Sequence, residues 1–261
     1  MVRVFRSRGF ESRPPRKTLP TSLVVMPHDL AWAAGLFDGK GSACSSERRD
    51  RPSRERRMFV YQAGRGETPE ALLRFKRAVG DRGNINGPYR DRLFQWTTKK
   101  HSAFDEVMTM LWPWLSDAKR VQLRRSTEAC GRLMPRECSS SSSTESGTEL
   151  AWVAGFFDGE GYIGANGSPG MRTLEMSIAQ ATTESVPPTL TRVRLALGVG
   201  TLYGPRMPRS PWSKLPQCVW RTNAFEDVQF VTAALWPWLG PVKRAQAREA
   251  LLRYRALVRD A

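Results

Sequence analysis

The sequence predicts an α+β protein made of two tandem αββαββα repeats related by a pseudo-two-fold axis. Three observations carry this. "AWAAGLFDGKGS" at residues 31–42 returns 120 residues later as "AWVAGFFDGEGY". "MTMLWPWLSDAKRVQ" at 108–122 returns as "TAALWPWLGPVKRAQ" at 232–246. Between these phrases, Gln62 in "MFVYQAG" aligns with Gln180 in "MSIAQAT", and Trp96 aligns with Trp220. A unit of this length is a domain rather than a solenoid turn.

The parts follow in order. Residues 1–26 are a basic arm rich in Arg, Ser and Pro. The first repeat takes 27–130, and the second takes 147–261. The join at 131–146 includes a serine run that cannot build a core and reads as a flexible tether. Within each repeat a helix carries the opening phrase. Alternating segments, "RMFVYQA" and "TLEMSIAQA", read as strands. "TPEALLRFKRAVG" reads as an amphipathic helix, with Leu72, Leu73, Phe75 and Val79 at helical spacing. A hairpin follows, then a closing helical region with the WPWL phrase and a Lys/Arg-rich face. "SSERRDRPSRERR" at 45–57 reads as a basic loop.

The chain has 261 residues, with 41 Lys and Arg against 25 Asp and Glu, a formal charge of +16. That excess predicts a polyanionic partner: nucleic acid first, an anionic membrane surface second. No apolar run approaches a membrane span of roughly 20 residues. The arm resembles a transit peptide weakly and lacks the apolar region of a secretion signal. The four cysteines form no CxxC pair. A structural zinc site and a disulfide framework are therefore not expected, and reduced thiols suit an intracellular protein of the bacterial cytoplasm or an organelle. No Walker A loop or dinucleotide-binding fingerprint is present.

The duplicated phrase has a physical reading. Ala31, Gly35 and Gly39 recur at four-residue intervals along one helix face, as do Ala151, Gly155 and Gly159. A stripe without side chains lets two helix backbones approach closely. Gly35 lies inside its helix and costs about 1 kcal/mol against alanine, so a packing reason is needed. Ala31, Gly35, Ala151 and Gly155 are thus expected at an interface on the pseudo-two-fold axis, with Trp32, Leu36 and Phe37 anchoring the helix in its own half. If the helices run parallel, positions 40 and 160 project from adjacent ends. The carbonyl-rich termini at Gly39 and Gly159, with Glu160, would make an oxygen-rich cation site. Beside a nucleic acid, such a site suggests metal-assisted phosphodiester hydrolysis.

"AAGLFDGKG" and "VAGFFDGEG", with their paired elements, resemble the LAGLIDADG homing endonucleases in their single-chain, two-motif form. The resemblance spans nearly the whole chain after the arm. It implies a saddle in which antiparallel sheets lie in the DNA major groove on either side of the central helices. It implies a monomer with internal symmetry acting on a long, asymmetric double-stranded site, without a membrane, with Mg²⁺ or Mn²⁺ at the motif acids. Those acids fall at Glu160 and at the position of Lys40. Gln62 and Gln180 match a polar residue that helps order active-site water. Lys119 and Lys243 match a basic residue near the scissile phosphates, where a cation stabilises developing charge. Asp38 and Asp158 match an earlier motif acid of structural role.

Lys40 departs from the family pattern by two charge units. Three outcomes follow: a nickase served by Glu160 alone, an inactive DNA binder, or a deliberate or degenerative substitution in a once-active enzyme. Strongly reduced double-strand cleavage is expected. An intron RNA maturase and a non-cleaving DNA-binding protein are the rivals.

Arg, Asn and Gln on exposed strand faces are the natural readers of base edges, while basic loop residues hold phosphates. The candidates in the first repeat are Arg54, Arg56, Arg57, Tyr61, Arg65, Arg90, Arg92 and Gln95. Those in the second are Tyr162, Asn166, Arg172, Tyr203, Arg206, Arg209, Lys214, Gln217 and Arg221. Their differences between the repeats predict unlike half-sites.

Overall fold

The computed structural model describes residues 26–48, 51–139, 146–168, 171–183, 185–208 and 215–259. The expected N-terminal arm and the serine run at 140–145 lie outside these residues.

The first half runs α1 (Pro27–Lys40), β1 (Gly41–Arg48), β2 (Arg51–Ala63), α2 (Glu70–Ala78), β3 (Asn84–Tyr89), β4 (Leu93–Thr98), α3 (His101–Leu111) and α4 (Asp117–Glu128). The second runs α5 (Glu149–Glu160), β5 (Gly161–Ser168), β6 (Met171–Ala181), α6 (Pro188–Leu197), β7 (Thr201–Arg206), β8 (Gln217–Thr222), α7 (Phe225–Leu235) and α8 (Pro241–Arg259). The αββαββα order is present twice, with one difference. The closing region is two helices per half, not one. Pro113 cannot supply the amide hydrogen that a continuing helix needs, and a 3₁₀ turn, Trp112–Trp114, separates α3 from α4. Ser116 then caps α4 by accepting from the Lys119 amide.

Each half holds a four-stranded antiparallel sheet, ordered β1-β2-β4-β3 and β5-β6-β8-β7. The registers correspond. Gly41 pairs with Val60 and Val60 with Trp96. Gly161 pairs with Ile178 and Ile178 with Trp220. The stretch read as a basic loop at 45–57 is instead strand: Ser45 pairs with Arg56 and Glu47 with Arg54. Its charge hid an alternation that the fold uses, because Arg56 takes a place in the buried row with Met58 and Val60.

The described part of the segment expected as a tether reaches α3. Residues 136–139 form a 3₁₀ turn, and Cys138 is buried, its Sγ 3.9 Å from Thr109 Oγ1 of α3. In α2, Leu72 and Phe75 are buried as expected, whereas Leu73 is exposed.

Helices α1 and α5 form the centre. Every residue from Ala31 to Asp38 and from Ala151 to Asp158 is buried. Such all-round burial suits a helix enclosed on every side rather than an amphipathic one. No helix among the described residues is long and apolar enough to cross a membrane.

Candidate functional site at the paired helix tips

The site begins with the close approach of α1 and α5. A Cβ on Gly35 would fall on the Trp152 carbonyl oxygen and lie 2.9 Å from the Phe156 amide nitrogen. A Cβ on Gly155 would fall on the Trp32 carbonyl and lie 3.0 Å from the Trp32 Cα. The glycine stripe is therefore a reciprocal backbone contact. It holds the helices parallel and in register, so residues 40 and 160 meet. Gly39 and Gly159 then give room to the opposite side chain: a Cβ on Gly39 would sit 3.0 Å from Glu160 Cγ, and one on Gly159 would sit 3.1 Å from Lys40 Cγ.

Trp32 was expected to anchor α1 in its own half. It crosses the axis instead. Trp32 Nε1 donates to Asp158 Oδ2 at 2.9 Å, and Trp152 Nε1 donates to Asp38 Oδ2 at 2.9 Å. Each carboxylate is also capped from its own half. Asp38 accepts from the Ser116 amide and hydroxyl, and Asp158 accepts from the Gly240 amide. Burial pushes both carboxyls up, that of Asp158 to about 6, against the lowering effect of these donors. Arg74 lies over the Trp32 ring at 4.0 Å and donates to the Trp238 carbonyl of the other half. Arg192 lies over Trp152 at 3.9 Å and donates to the Trp114 carbonyl at 2.6 Å. Sequence reasoning missed this clasp of Trp, Asp and Arg. Its signal was available, since Trp32 and Trp152 sit in the repeated phrase, and Arg74 and Arg192 match at a spacing of 118.

At the tips, Lys40 Nζ lies 2.9 Å from Glu160 Oε2, both side chains partly accessible at 34% and 22%. The backbone turns from each helix directly into a strand at Gly41 and Gly161, and the rings of Phe37 and Phe157 occupy the space that a Cβ there would need. Lys119 Nζ donates to the Gly41 carbonyl and lies 5.7 Å from the centre of the Phe37 ring. Lys243 Nζ donates to the Gly161 carbonyl at 2.5 Å and lies 5.6 Å from the centre of the Phe157 ring. Burial lowers the pKa of both lysines, while Glu160 opposes that lowering for each. Lys40, Glu160, Lys119 and Lys243 are thus brought together.

Gln62 and Gln180 are not part of this group. Both lie in the buried-facing rows of β2 and β6, two residues past Val60 and Ile178. Gln180 accepts from Thr189 in α6, and Gln62 Oε1 is buried without a partner. Strand alternation turns both side chains toward the helices and away from the open face of each sheet.

The donor set at the tips does not fit a divalent ion. Such ions take several oxygen ligands. Here the Gly39 and Gly159 carbonyls expected as ligands are joined at the tips by the single carboxylate of Glu160, whose Oε2 is held by Lys40; the Gly41 and Gly161 carbonyls each accept from a lysine, and Asp38 and Asp158 are engaged by tryptophan and amide donors. Among the described residues, no group of three or more His, Cys, Asp or Glu could hold a metal.

Most expected surface readers lie on the open faces of the sheets. On the first sheet, Arg57 donates to Ser46 at 3.2 Å and Gln95 donates to the Tyr61 hydroxyl at 2.7 Å. On the second, Asn166 reaches the Tyr162 hydroxyl at 3.4 Å, Arg221 pairs with Glu175 at 3.3 Å, and Tyr203 lies beneath the Arg221 guanidinium. Gln217 alternates onto the same face. Arg65, Arg90, Arg92 and Arg206 are exposed at strand ends and turns, and Arg54 pairs with Glu47.

Two candidates are corrected. Arg56 is fully buried; it donates to Asp105 at 2.6 Å, Thr127 at 3.1 Å and His101 at 3.2 Å, and lies over Phe104. Burying its charge is tolerable because the guanidinium donors are satisfied. Arg172 faces the helix side, in the row of Leu174 and Met176, beside Phe225 and Tyr254. Arg209 and Lys214 lie outside the described residues.

No protein-family model and no curated sequence matches the chain. Solved structures do match in fold. The LAGLIDADG homing endonuclease I-GzeII, in complex with its DNA target, superposes with a TM-score of 0.59 at 13% identity, covering 84% of this chain and 87% of that one. The fold is that of the LAGLIDADG homing endonucleases. The meganuclease I-SmaMI bound to uncleaveable DNA gives a TM-score of 0.58 at 14% identity over 87% of this chain and 96% of its own. I-SmaMI bound to uncleaved DNA in the presence of calcium ions gives 0.51 at 13% identity, covering 87% and 97%.

Proposed function

We propose that the chain is a site-specific DNA-binding protein on a homing endonuclease scaffold, with its double-strand cleavage strongly reduced by Lys40. The observation that carries this is the placement of Lys40 against Glu160 between two open sheet faces. On such a scaffold the sheets read base edges and the helix tips meet the sugar–phosphate backbone. Two tips with one carboxylate each could serve two strands. Here a single carboxylate remains, and an ammonium neutralises it.

Unlike half-sites follow from the registers. Arg57 on β2 and Glu175 on β6 occupy corresponding positions, as do Thr97 on β4 and Arg221 on β8. One half presents Arg57 bonded to Ser46; the other presents a glutamate–arginine pair over Tyr203. Arginine favours guanine edges and glutamate favours cytosine. The exposed basic residues at turns supply phosphate contacts. The repeats themselves act as two domains, 27–130 and 147–261, joined by 131–146.

Selection from a pool of randomised duplexes tests the reading. Enrichment of one long, asymmetric sequence, protected on both halves in a hydroxyl-radical footprint, is expected. A pool without consensus, or preferential capture of structured RNA, overturns it in favour of non-specific or maturase-like binding.

A further inference from the structure

Three oxygen atoms at the helix tips are engaged by ammonium groups. Glu160 holds Lys40, the Gly41 carbonyl holds Lys119, and the Gly161 carbonyl holds Lys243. Three ammonium groups therefore converge around one carboxylate. Two of them are held in place by a carbonyl and an aromatic face, so little freedom remains for them to lose on binding. Lys40 stands at a helix C-terminus, whose partial negative charge favours a cation.

We propose that the Lys40 ammonium takes the position of a divalent cation, and that Lys40, Lys119 and Lys243 form a metal-independent grip on a phosphodiester oxyanion of bound DNA. The proposal rests on the DNA-binding reading above and deepens it.

Electrostatic magnitudes decide between metal and phosphate. At a given distance and dielectric, a divalent ion interacts with each neighbouring unit charge twice as strongly as a monovalent ion does. A divalent ion would gain that attraction once, from Glu160, and meet comparable repulsion from each nearby ammonium. A phosphate oxyanion has the reverse balance. An ion pair between partly accessible side chains, as here, is a modest contribution that solvent and salt screen further. The Lys40–Glu160 contact is thus a weak staple, and an arriving phosphate can draw the Lys40 ammonium toward itself. Lysine suits this task as a compact point charge on a flexible stem.

Two measurements test the proposal. In the first, Mn²⁺ alone is titrated into the full chain and free ion is followed by electron paramagnetic resonance. The wild type should leave the free-ion signal equal to that of buffer. Lys40→Glu, which returns a second carboxylate to the tips, should retain Mn²⁺, and adding Glu160→Gln should abolish retention. Retention by the wild type that Glu160→Gln removes would overturn the proposal. In the second, affinity for a short duplex is measured against salt in EDTA. Lys40→Met should weaken binding and reduce the log–log salt slope by about one. An unchanged slope contradicts the grip. Lys40→Met should keep the wild-type melting temperature, so a loss of slope reads as a lost contact. If no duplex binds at any salt, the DNA-binding reading fails, while the Mn²⁺ titration still decides what the tips hold.

Discussion

Asp158 is the residue whose environment makes the sharpest demand. Its carboxyl is pushed from an ordinary 3.8 up to about 6, because burial outweighs the help of Trp32, Gly240, Arg74 and Lys243. A carboxyl raised in the folded state binds its proton more tightly there than in the unfolded chain. Its stabilising contribution is therefore complete below about pH 3.8 and lost as pH rises through about 6. Asp158→Asn removes this titration. The wild-type melting temperature, relative to that of the variant, should fall between about pH 4 and 6. Parallel curves for the two proteins would contradict the assignment. Lys40 is the other decisive residue. The sequence alone exposed its charge reversal, but not that its ammonium would sit on Glu160, since that contact depends on the register of two helices 120 residues apart.

At the scale of elements, the crossing of α1 and α5 rests on glycine. Gly35→Ala would bring a methyl group against the Trp152 carbonyl, a backbone atom that no rotamer change can move. Against an immovable backbone atom the overpacking cost lies at the upper end, about 2–3 kcal/mol, partly offset by about 1 kcal/mol of improved helix propensity. Net destabilisation of about 1–2 kcal/mol should appear in urea unfolding. Unchanged stability would mean the helices do not meet as described. This interface was legible in the sequence because a glycine inside a helix, written twice at matching positions, weakens both helices unless a second backbone needs the space. The paired sheets were legible from alternation and from Trp96 and Trp220. The β1–β2 hairpin was not, because "SSERRDRPSRERR" carries charge on both faces. Only the structure reveals that Arg56 turns inward to meet Asp105, Thr127 and His101. The inward aim of Gln62 and Gln180 was likewise hidden, since a one-residue change of register moves a strand side chain to the other face.

At the scale of the molecule, two sheets of unlike surface flank one shared tip, and the chain carries a formal charge of +16. Electrostatics should dominate affinity. Ten phosphate contacts would give a log–log salt slope of about −9, and a slope near zero would contradict a phosphate-tracking surface. On the proposed reading, the asymmetry between Arg57 and Glu175 would place base preference differently in the two halves, whereas Lys119 and Lys243 recur in both. The strand faces can therefore diverge while the helices and their Asp–Trp clasp hold the frame.

Above all, Lys40 stands where the resemblance to the homing endonucleases places a motif carboxylate. The decisive measurement is conversion of supercoiled plasmid carrying the selected target, in Mg²⁺, by the wild type and by Lys40→Glu side by side. Wild-type protein should leave the plasmid supercoiled or at most nicked, and Lys40→Glu should gain linear product. Prompt linear product from the wild type would contradict the role given to Lys40.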